Sequence, residues 1–312
     1  MSSGSPATSR HDHSADAALH AMAGLGAPVQ ATAGGVPVGY RAGHTLTVRV
    51  ELMRQLRRRR TQLALGFMVA LPLILMLAFS FGSNNSNTNN TSFVDLAKAG
   101  AANFAMVSLF FSASFLLIVV ISLFFGDTIA SEASWSSLRY LLAMPVPRLR
   151  LLRQKLLVAG LLAVAALVLL PTTAYVVGLI AYGTGPLSTP IGDQFGTGTG
   201  LARLAVVVAY LAIQLSWVAG LAFLLSVLTD APLGAVGGAV LLSILSQILD
   251  QITALGGIRS WLPTHYGLAW TGALVEPIRW DDMVRGAFSG LAYATVFVAI
   301  AVLRFRRKDI TS

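Results

Sequence analysis

Six apolar stretches of this chain are long enough to cross a lipid bilayer, and they constrain its fold more than any other feature. A spanning helix needs about 20 predominantly apolar residues to cross about 30 Å of hydrocarbon, and each stretch reaches or approaches that length. Charged residues are scarce inside them, because an ionised side chain at mid-bilayer costs at least about 2.5–3.5 kcal/mol. The sequence therefore predicts an all-α membrane protein with six transmembrane helices. The stretches run at about 63–81, 103–125, 155–182, 200–228, 232–250 and 286–303.

The overall composition supports this prediction. The chain is 55% hydrophobic and only 11% charged, whereas a water-soluble domain carries about 25% charged residues. It has no cysteine, which excludes disulfides, thiolate zinc sites and thiol catalysis. Residues 1–40 contain no long apolar run and are rich in Ser, Ala, Gly, Pro and His. We expect no cleavable signal peptide there, but a disordered cytoplasmic tail ahead of a transmembrane domain over residues 41–312.

The basic residues cluster at every second junction between the apolar stretches. By the positive-inside rule, this places both termini and the loop over residues 126–154 on the cytoplasmic side. The net charge of +9 is therefore concentrated beside anionic headgroups, which argues against a nucleic-acid partner. The clustered basic residues are Arg49, Arg54, Arg57, Arg58, Arg59 and Arg60, then Arg139, Arg148, Arg150, Arg153 and Lys155, and finally Arg304, Arg306, Arg307 and Lys308.

Residues 41–60 read as a basic amphipathic helix ahead of the first span. Leu46, Val50, Met53 and Leu56 recur at helical spacing, and the segment ends in four arginines. Such a helix lies on the inner leaflet with its apolar side toward the lipid. The alternative is a plain cluster of stop-transfer charges.

Prolines and glycines predict irregularities within the spans. Pro72 should kink the first span unless neighbouring helices hold it straight, and Pro171 is placed to break the third. The glycine-rich stretch 196–200 reads as a hinge or spacer. Gly234 and Gly238 form a G-x-x-x-G pair that permits close helix packing, either within the chain or against another subunit.

About 35 residues separate the fifth and sixth spans, and they include Trp261, Trp270 and Trp280. Tryptophan favours the membrane interface, so we expect short or re-entrant helices that dip into the outer leaflet. A folded extracytoplasmic cap is the alternative. Asp281 and Asp282 suit the first turn of the last helix.

Motifs for catalysis and for nucleotide binding are missing. The sequence has no phosphate loop, no G-x-S-x-G and no H-E-x-x-H. His11 and His13 lack a placed third ligand and make a poor metal site. We therefore assign no catalytic, cofactor-binding or metal-binding residues and expect the chain not to be an enzyme.

The cytoplasmic loop after the second span carries the most informative pattern. Trp135, Leu138, Leu141 and Leu142 fall on one side of a short amphipathic helix, which a Pro-Val-Pro stop at residues 145–147 ends. An apolar helix face on a cytosolic loop needs a partner, either the headgroup layer or another protein.

This loop resembles the coupling segment of the ABC-2-type transporter permeases. The family usually has Gly-Thr where this chain has Ser136 and Ser137, and its usual Phe-x-Arg-Arg-Asp ending is similar to residues 305–309 except that Lys308 is interposed. The six-span layout also fits, and the resemblance covers about residues 41–310. The residues that match the family's loop pattern are Glu132, Ser136, Ser137, Leu138, Leu141, Leu142, Pro145, Val146 and Arg148.

The resemblance implies that the chain is the permease subunit of a bacterial exporter in the inner (plasma) membrane. In that family the loop is a coupling helix that docks on a separate ATP-hydrolysing subunit. Two permease subunits, alike or different, work over two ATPase subunits, which bind the ATP and Mg. The implied coupling residues are Glu132, Trp135, Ser136, Ser137, Leu138, Leu141, Leu142, Pro145 and Arg148.

Polar residues within the spans are the candidates for the lining of a pathway. Because ionised groups are almost absent, an apolar or amphipathic cargo such as a drug, an antibiotic or a lipid fits better than a metal ion. Asp250 is either functional or an interface residue already in water, and we favour the second interpretation. The candidates are Asn103, Tyr175, Gln214, Trp217, Gln247 and Asp250.

Two other classes of function remain as alternatives. A membrane-embedded lipid-modifying enzyme or protease needs paired acids, or Ser with His, at bilayer depth, and His265 is the only histidine beyond residue 44. A transporter driven by an ion gradient usually shows an intramembrane acid or an inverted repeat, and neither is convincing here.

Overall fold

The computed structural model describes residues 47–81, 93–134, 148–189 and 193–306, and this part of the chain is almost entirely helical. Two short strands, β1 (Leu187–Ser188) and β2 (Gln194–Phe195), pair antiparallel beside the helices. Two 3₁₀ helices, Thr253–Trp261 and Ala269–Leu274, follow the fifth apolar stretch. The α-helices are α1 (Val48–Leu56), α2 (Arg59–Phe81), α3 (Phe93–Lys98), α4 (Ala101–Ala113), α5 (Leu116–Ser134), α6 (Arg148–Tyr182), α7 (Thr197–Gln214), α8 (Ser216–Leu228), α9 (Pro232–Gln251) and α10 (Asp281–Arg306).

Five of the predicted spans appear as helices long and apolar enough to cross a membrane. These are α2, α6, the α7–α8 pair, α9 and α10. The second predicted span is the pair α4 and α5, which meet at a 60° bend. The described helices thus confirm a largely helical membrane protein, while a count of six spans requires that the bent pair crosses as one unit.

The α7–α8 pair forms the centre of the bundle. In its most apolar stretch 67% of the residues are buried, against 17% in the corresponding stretch of α10. Trp217 and Phe223 on α8 are almost fully buried. Glycines on its neighbours permit this packing: a Cβ at Gly290 would lie 2.7 Å from the Gln214 carbonyl oxygen. Because such contacts leave no room for a side chain, α10 and the central pair approach backbone to backbone.

The outward faces of the peripheral helices are apolar. On α2 the exposed side chains include Leu63, Phe67 and Leu77, and on α10 they include Phe288 and Leu303. A helix that exposes large apolar side chains along its length is typical of contact with lipid. These faces account for the hydrophobic composition.

The structure differs from the expected break at Pro171 and from the expected hinge or spacer at residues 196–200, and it agrees with the alternative that Pro72 is held within its helix. The helix α6 runs unbroken through Pro171, and α2 runs through Pro72. Neighbouring helices in a bundle hold such prolines in place. Thr173, two residues after Pro171, donates a hydroxyl hydrogen bond to the Leu169 carbonyl. The glycine stretch is not a spacer, because α7 begins at Thr197 and Gly200 packs against β1.

The G-x-x-x-G pair on α9 packs within the chain. A Cβ at Gly238 would lie 3.2 Å from Leu225 Cδ1, and the adjacent Ala235 and Ala239 are fully buried. This favours the intrachain alternative for that face. The region before α10 contains the expected short helices, and α10 begins at Asp281 as predicted.

Candidate functional site

The first functional candidate is a cluster of charged residues where α1, α2, α5 and α6 meet. We call it the basal ion network and define it as three acids and four bases. Its core is Lys155, which is 2% exposed and lies 3.0 Å from Glu132 Oε1 and 3.4 Å from Glu51 Oε1. Its members are Glu51, Arg54, Arg58, Arg60, Asp127, Glu132 and Lys155.

Arginines of the basic segment before and at the start of α2 form the more exposed ion pairs of this network. Arg54 Nη2 donates to Glu132 at 2.7 Å and to Glu51 at 2.8 Å. Arg58 and Arg60 both bind Asp127, at 2.8 and 2.9 Å. Part of the basic charge that the sequence assigns to headgroups therefore neutralises buried acids of the chain itself.

The charges of the network shift the pKa values on α1. Burial alone would raise the pKa of Glu51, but the charge of Lys155 and hydrogen bonds from Arg54 and Gln55 outweigh it and lower that pKa. Burial alone would lower the pKa of Arg54, yet hydrogen bonding to Glu51 and Glu132 raises it. Both groups are therefore held in their charged forms.

The orientation of α1 follows from the same contacts. Glu51 and Gln55 are buried against the bundle, while Val50 and Met53 are 67% and 48% exposed. The exposed side thus carries Val50 and Met53 of the predicted apolar stripe, whereas Leu56 of the same stripe packs partly buried against the core. Sequence reasoning missed Glu51, although a single acid within a strongly basic segment was a usable signal.

Glu132 is the only predicted coupling residue whose side chain belongs to the described part of the chain. It is 6% exposed on its side chain and faces the network. Arg148 starts α6, but its side chain is outside the description, as are Trp135, Ser136, Ser137, Leu138, Leu141, Leu142 and Pro145.

The second candidate is a cavity between two interrupted helices. One interruption is the 60° bend between α4 and α5, and the other is the single turn residue Leu215 between α7 and α8, across which the backbone hydrogen bonds continue. Gln247 Nε2 donates to the Ser114 carbonyl at the bend, at 2.9 Å. Gln214 Nε2 donates to the Pro263 carbonyl at 3.0 Å. Amides thus satisfy backbone groups that a membrane would otherwise leave unpaired.

This cavity, which we call the polar cavity, has a volume of about 130 Å³ and brings four predicted residues together. Gln214 and Trp217 line it from the central helices, and Gln247 and Asp250 line it from α9. The two pairs come from different helices, so their convergence is a property of the fold. The cavity is smaller than the roughly 300–1,000 Å³ of ligand pockets, so its candidacy as a small-molecule site rests on this convergence of polar groups and not on its size.

Asp250 has close polar partners. His265 Nδ1 lies 2.6 Å from Asp250 Oδ1, and Arg259 Nε lies 3.6 Å from the same oxygen. The carboxylate is 13% exposed. The interpretation of Asp250 as a fully hydrated interface residue therefore does not match its surroundings, since its charge is balanced by protein groups.

The other two predicted lining residues do not belong to the polar cavity. Asn103 is 1% exposed, donates to the Pro186 carbonyl and accepts from the Ser188 amide, both at 3.0 Å. It anchors β1 to α4. Tyr175 packs half-buried against the core on α6.

No cluster of three or more His, Asp or Glu side chains within the described ranges is arranged to hold a metal ion. The polar cavity offers amides, hydroxyls, one indole, and the carboxylate of Asp250 paired with His265. Its chemistry is suited to hydrogen bonding.

A family model described as "protein of unknown function (DUF2705)" matches residues 67–311. The chain belongs to this family. The match begins within α2 and extends past the end of α10, so it includes the whole of the polar cavity. No curated protein matches the chain.

Proposed function

We propose that the chain is the transmembrane permease subunit of an ATP-driven exporter of the ABC-2 type. The observation that carries this proposal is the position of α5. One uninterrupted helix, Leu116–Ser134, has the basal ion network at one end and the polar cavity at the other. At about 1.5 Å per residue it is about 28 Å long, so it links the coupling segment to the cavity.

The ion network supports such a linkage. Glu132 lies directly before the segment 135–147, and its contacts with Lys155 and Arg54 join α5 to α6 and α1. A push on that segment would move three helices together, because separating these charges would leave Glu132 and Lys155 buried without their partners. In this mechanism the chain hydrolyses nothing, and it passes motion from an ATPase to the pathway.

The bend between α4 and α5 supports the second half of the mechanism. The Ser114 carbonyl at the bend is held by Gln247, which also lines the polar cavity. Movement of α5 would therefore change the cavity and its affinity for cargo, and alternating access requires this difference between two states. The cargo we propose is apolar or amphipathic, such as a drug, an antibiotic or a lipid.

The proposed assembly contains two permease subunits, identical or different, and two ATPase subunits that bind ATP and Mg. Its location is the bacterial inner (plasma) membrane, with six spans and both termini cytoplasmic. The residues proposed to dock are those of the coupling segment, with Leu138 and Leu142 as apolar anchors.

Copurification tests this proposal. The chain is expressed in its own host, and we expect a phosphate-loop ATPase, recognised by its motif, to copurify with it. The Leu138→Asp and Leu142→Asp variants should remain in the membrane but lose the ATPase. Leu138→Met keeps the side chain apolar and of similar volume, so this variant should retain the ATPase. If both aspartate variants copurify the ATPase with unchanged ATP turnover, the docking assignment is wrong.

A transporter driven by a proton gradient is the second candidate, because Asp250 and His265 form a close acid–base pair at the cavity. Paired acidic and histidine side chains of this kind form proton relays in pumps and transporters. Proteoliposomes that contain only the purified chain distinguish the two functions. Cargo movement driven by a pH gradient without ATPase would favour the second candidate and contradict the first.

A further inference from the structure

The two glutamines of the polar cavity have their amide orientations fixed by the protein. Gln214 Nε2 donates to the Pro263 carbonyl at 3.0 Å. Gln247 Nε2 donates to the Ser114 carbonyl at 2.9 Å. A carbonyl oxygen can only accept a hydrogen bond, so these contacts decide which end of each amide is the NH₂ group. The oxygen ends, Gln214 Oε1 and Gln247 Oε1, are left for other partners.

Both amide oxygens are open to a ligand. No described residue donates a hydrogen bond to Gln214 Oε1 or to Gln247 Oε1. In the described part of the chain, the unpartnered polar atoms without accessible surface belong to other side chains, so these two oxygens are not sealed in the interior. Gln214 as a whole is only 2% exposed, and both glutamines line the cavity. A buried acceptor without a donor is costly, so this wall favours a ligand that donates.

Asp250 adds a carboxylate oxygen to the same wall. His265 Nδ1 and Arg259 Nε both approach Oδ1 of Asp250, at 2.6 and 3.6 Å. The second distance is too long for a hydrogen bond, and an ionised carboxylate accepts at about four lone-pair positions. Its other oxygen, Oδ2, accepts no hydrogen bond from a described residue. The cavity therefore presents two neutral oxygens and one charged oxygen that have room for a donor.

The remaining polar groups of the cavity do not reverse this preference. The Ser114 and Thr264 hydroxyls can donate or accept, and the exposed Gln251 amide can turn, so these groups suit any polar ligand. The Trp217 indole adds one fixed donor. An anion would place its charge beside the Asp250 carboxylate, and an apolar group would leave the oxygens without a donor. A ligand rich in N–H groups meets neither cost.

The volume of the polar cavity limits the size of the group that it can hold. Its 130 Å³ is close to the volume of an apolar protein cavity, about 150 Å³, that binds benzene. A whole drug or lipid exceeds this volume. A short alkylammonium group fits it, either as a small molecule or as one end of a longer molecule that lies mostly outside.

We propose that the polar cavity binds a protonated primary amine, whose N–H groups donate to Gln214 Oε1, Gln247 Oε1 and Asp250 Oδ2. A primary ammonium combines three donors with a positive charge, which matches two amide oxygens and one carboxylate oxygen. Hydrogen bonds between charged groups are the strong ones. This inference rests on the proposed function, in which the cavity receives cargo, and it narrows that cargo to molecules that carry a primary amine.

Binding of radiolabelled butylamine to the purified chain in non-ionic detergent tests the proposal. Two unlabelled competitors separate the features of the ligand: tetramethylammonium has the charge without an N–H group, and 1-butanol has a donor without the charge. Each should compete at least about tenfold more weakly than unlabelled butylamine, because both the charge and the donors contribute. Replacement of choline by sodium at constant ionic strength should leave the affinity for butylamine unchanged.

Two variants remove acceptors from the cavity. Asp250→Asn keeps the shape but removes the charge, and it should weaken butylamine binding at least about tenfold. Gln247→Leu removes one amide oxygen and should weaken it about fivefold. The matched controls Asp281→Asn and Gln62→Leu change exposed residues outside the cavity and should bind like the wild type. Gln247 is only partly buried, so its variant tests the site even if Asp250→Asn fails to fold.

Lipid retention separates two sources of a primary ammonium group. In nanodiscs of mixed lipids, enrichment of phosphatidylethanolamine over phosphatidylcholine that Asp250→Asn abolishes supports a bilayer headgroup as the ligand. Butylamine binding without this enrichment supports an amine that arrives from solution.

Several outcomes overturn the proposal. They are equal competition by tetramethylammonium or by 1-butanol, displacement of butylamine by sodium, unchanged affinity in both cavity variants, and absence of butylamine binding. None of these assays contains an ATPase. Amine binding by a chain that copurifies no ATPase would therefore contradict the exporter and keep the site, whereas ATPase docking without amine binding would contradict only the site.

Discussion

Replacing Lys155 by methionine should destabilise the protein far more than removal of any exposed cation of the basal ion network. Lys155 is 2% exposed and lies within 3.4 Å of two carboxylates. Breaking a buried ion pair costs about 3–5 kcal/mol, because the remaining charges stay buried. Arg54 still contacts both carboxylates, so we expect a loss near the lower end, about 3 kcal/mol.

Thermal unfolding of the detergent-solubilised chain measures this loss. About 3 kcal/mol corresponds to a decrease in Tm of about 6–12 °C. The matched control is Arg60→Gln, which removes a cation that is 63% exposed and should cost about 0–1 kcal/mol. The double variant Lys155→Met with Glu132→Gln should lose less than the sum of the two single losses, since the partners are in contact.

A Tm for Lys155→Met equal to that of Arg60→Gln would refute the reasoning. It would mean that the buried lysine contributes no more than a surface charge. Additive single losses in the double variant would show that Lys155 and Glu132 do not act as a pair.

Three further perturbations test other parts of the structure. Gly290→Ala places a Cβ 2.7 Å from the Gln214 carbonyl oxygen and should lower the free energy of unfolding by about 1–3 kcal/mol. In the control Gly160→Ala the new Cβ contacts no atom within 4 Å, so this variant should be as stable as the wild type. Gln247→Leu removes the hydrogen bond at the helix bend and should lower stability by about 1 kcal/mol and alter cargo selectivity; wild-type transport would remove this residue from the pathway. The folded pKa of Glu51 is below its unfolded value of 4.5. The stability of the wild type relative to Glu51→Gln should therefore be greatest above pH 4.5 and should shrink as the pH falls through the folded pKa. A stability difference between the two proteins that grows on acidification contradicts the pairing.

The positions of the long helices could be predicted from the sequence because lipid imposes a composition on whatever crosses it. An apolar run of sufficient length reads as a span without knowledge of its neighbours. The bend after α4 could not be predicted in this way. Neither proline nor glycine marks it, and its exposed Ser114 carbonyl is satisfied by Gln247, 133 positions further along the chain.

The candidate site could likewise be predicted only in part from the sequence. Gln214, Trp217, Gln247 and Asp250 could be selected because polar groups inside apolar runs need partners or a cavity. That rule cannot separate a lining residue from a structural one, and Asn103 proved to bind backbone groups beside β1.

The basal ion network was beyond prediction for a related reason. Lys155 and Glu51 are 104 positions apart, and both lie in segments whose charges are explained equally well by headgroups or by loops. Only the packing of α1 across the start of α6 brings them together. Charge pairing over such distances leaves no local pattern in a single sequence.

Cysteine accessibility at position 138 tests the central claim most directly, since the chain has no native cysteine. In the Leu138→Cys variant, a membrane-impermeant maleimide should label inverted membrane vesicles and leave intact spheroplasts unlabelled. Binding of the ATPase should protect the site in inverted vesicles. Labelling of spheroplasts, or equal labelling with and without the bound ATPase, would contradict the account.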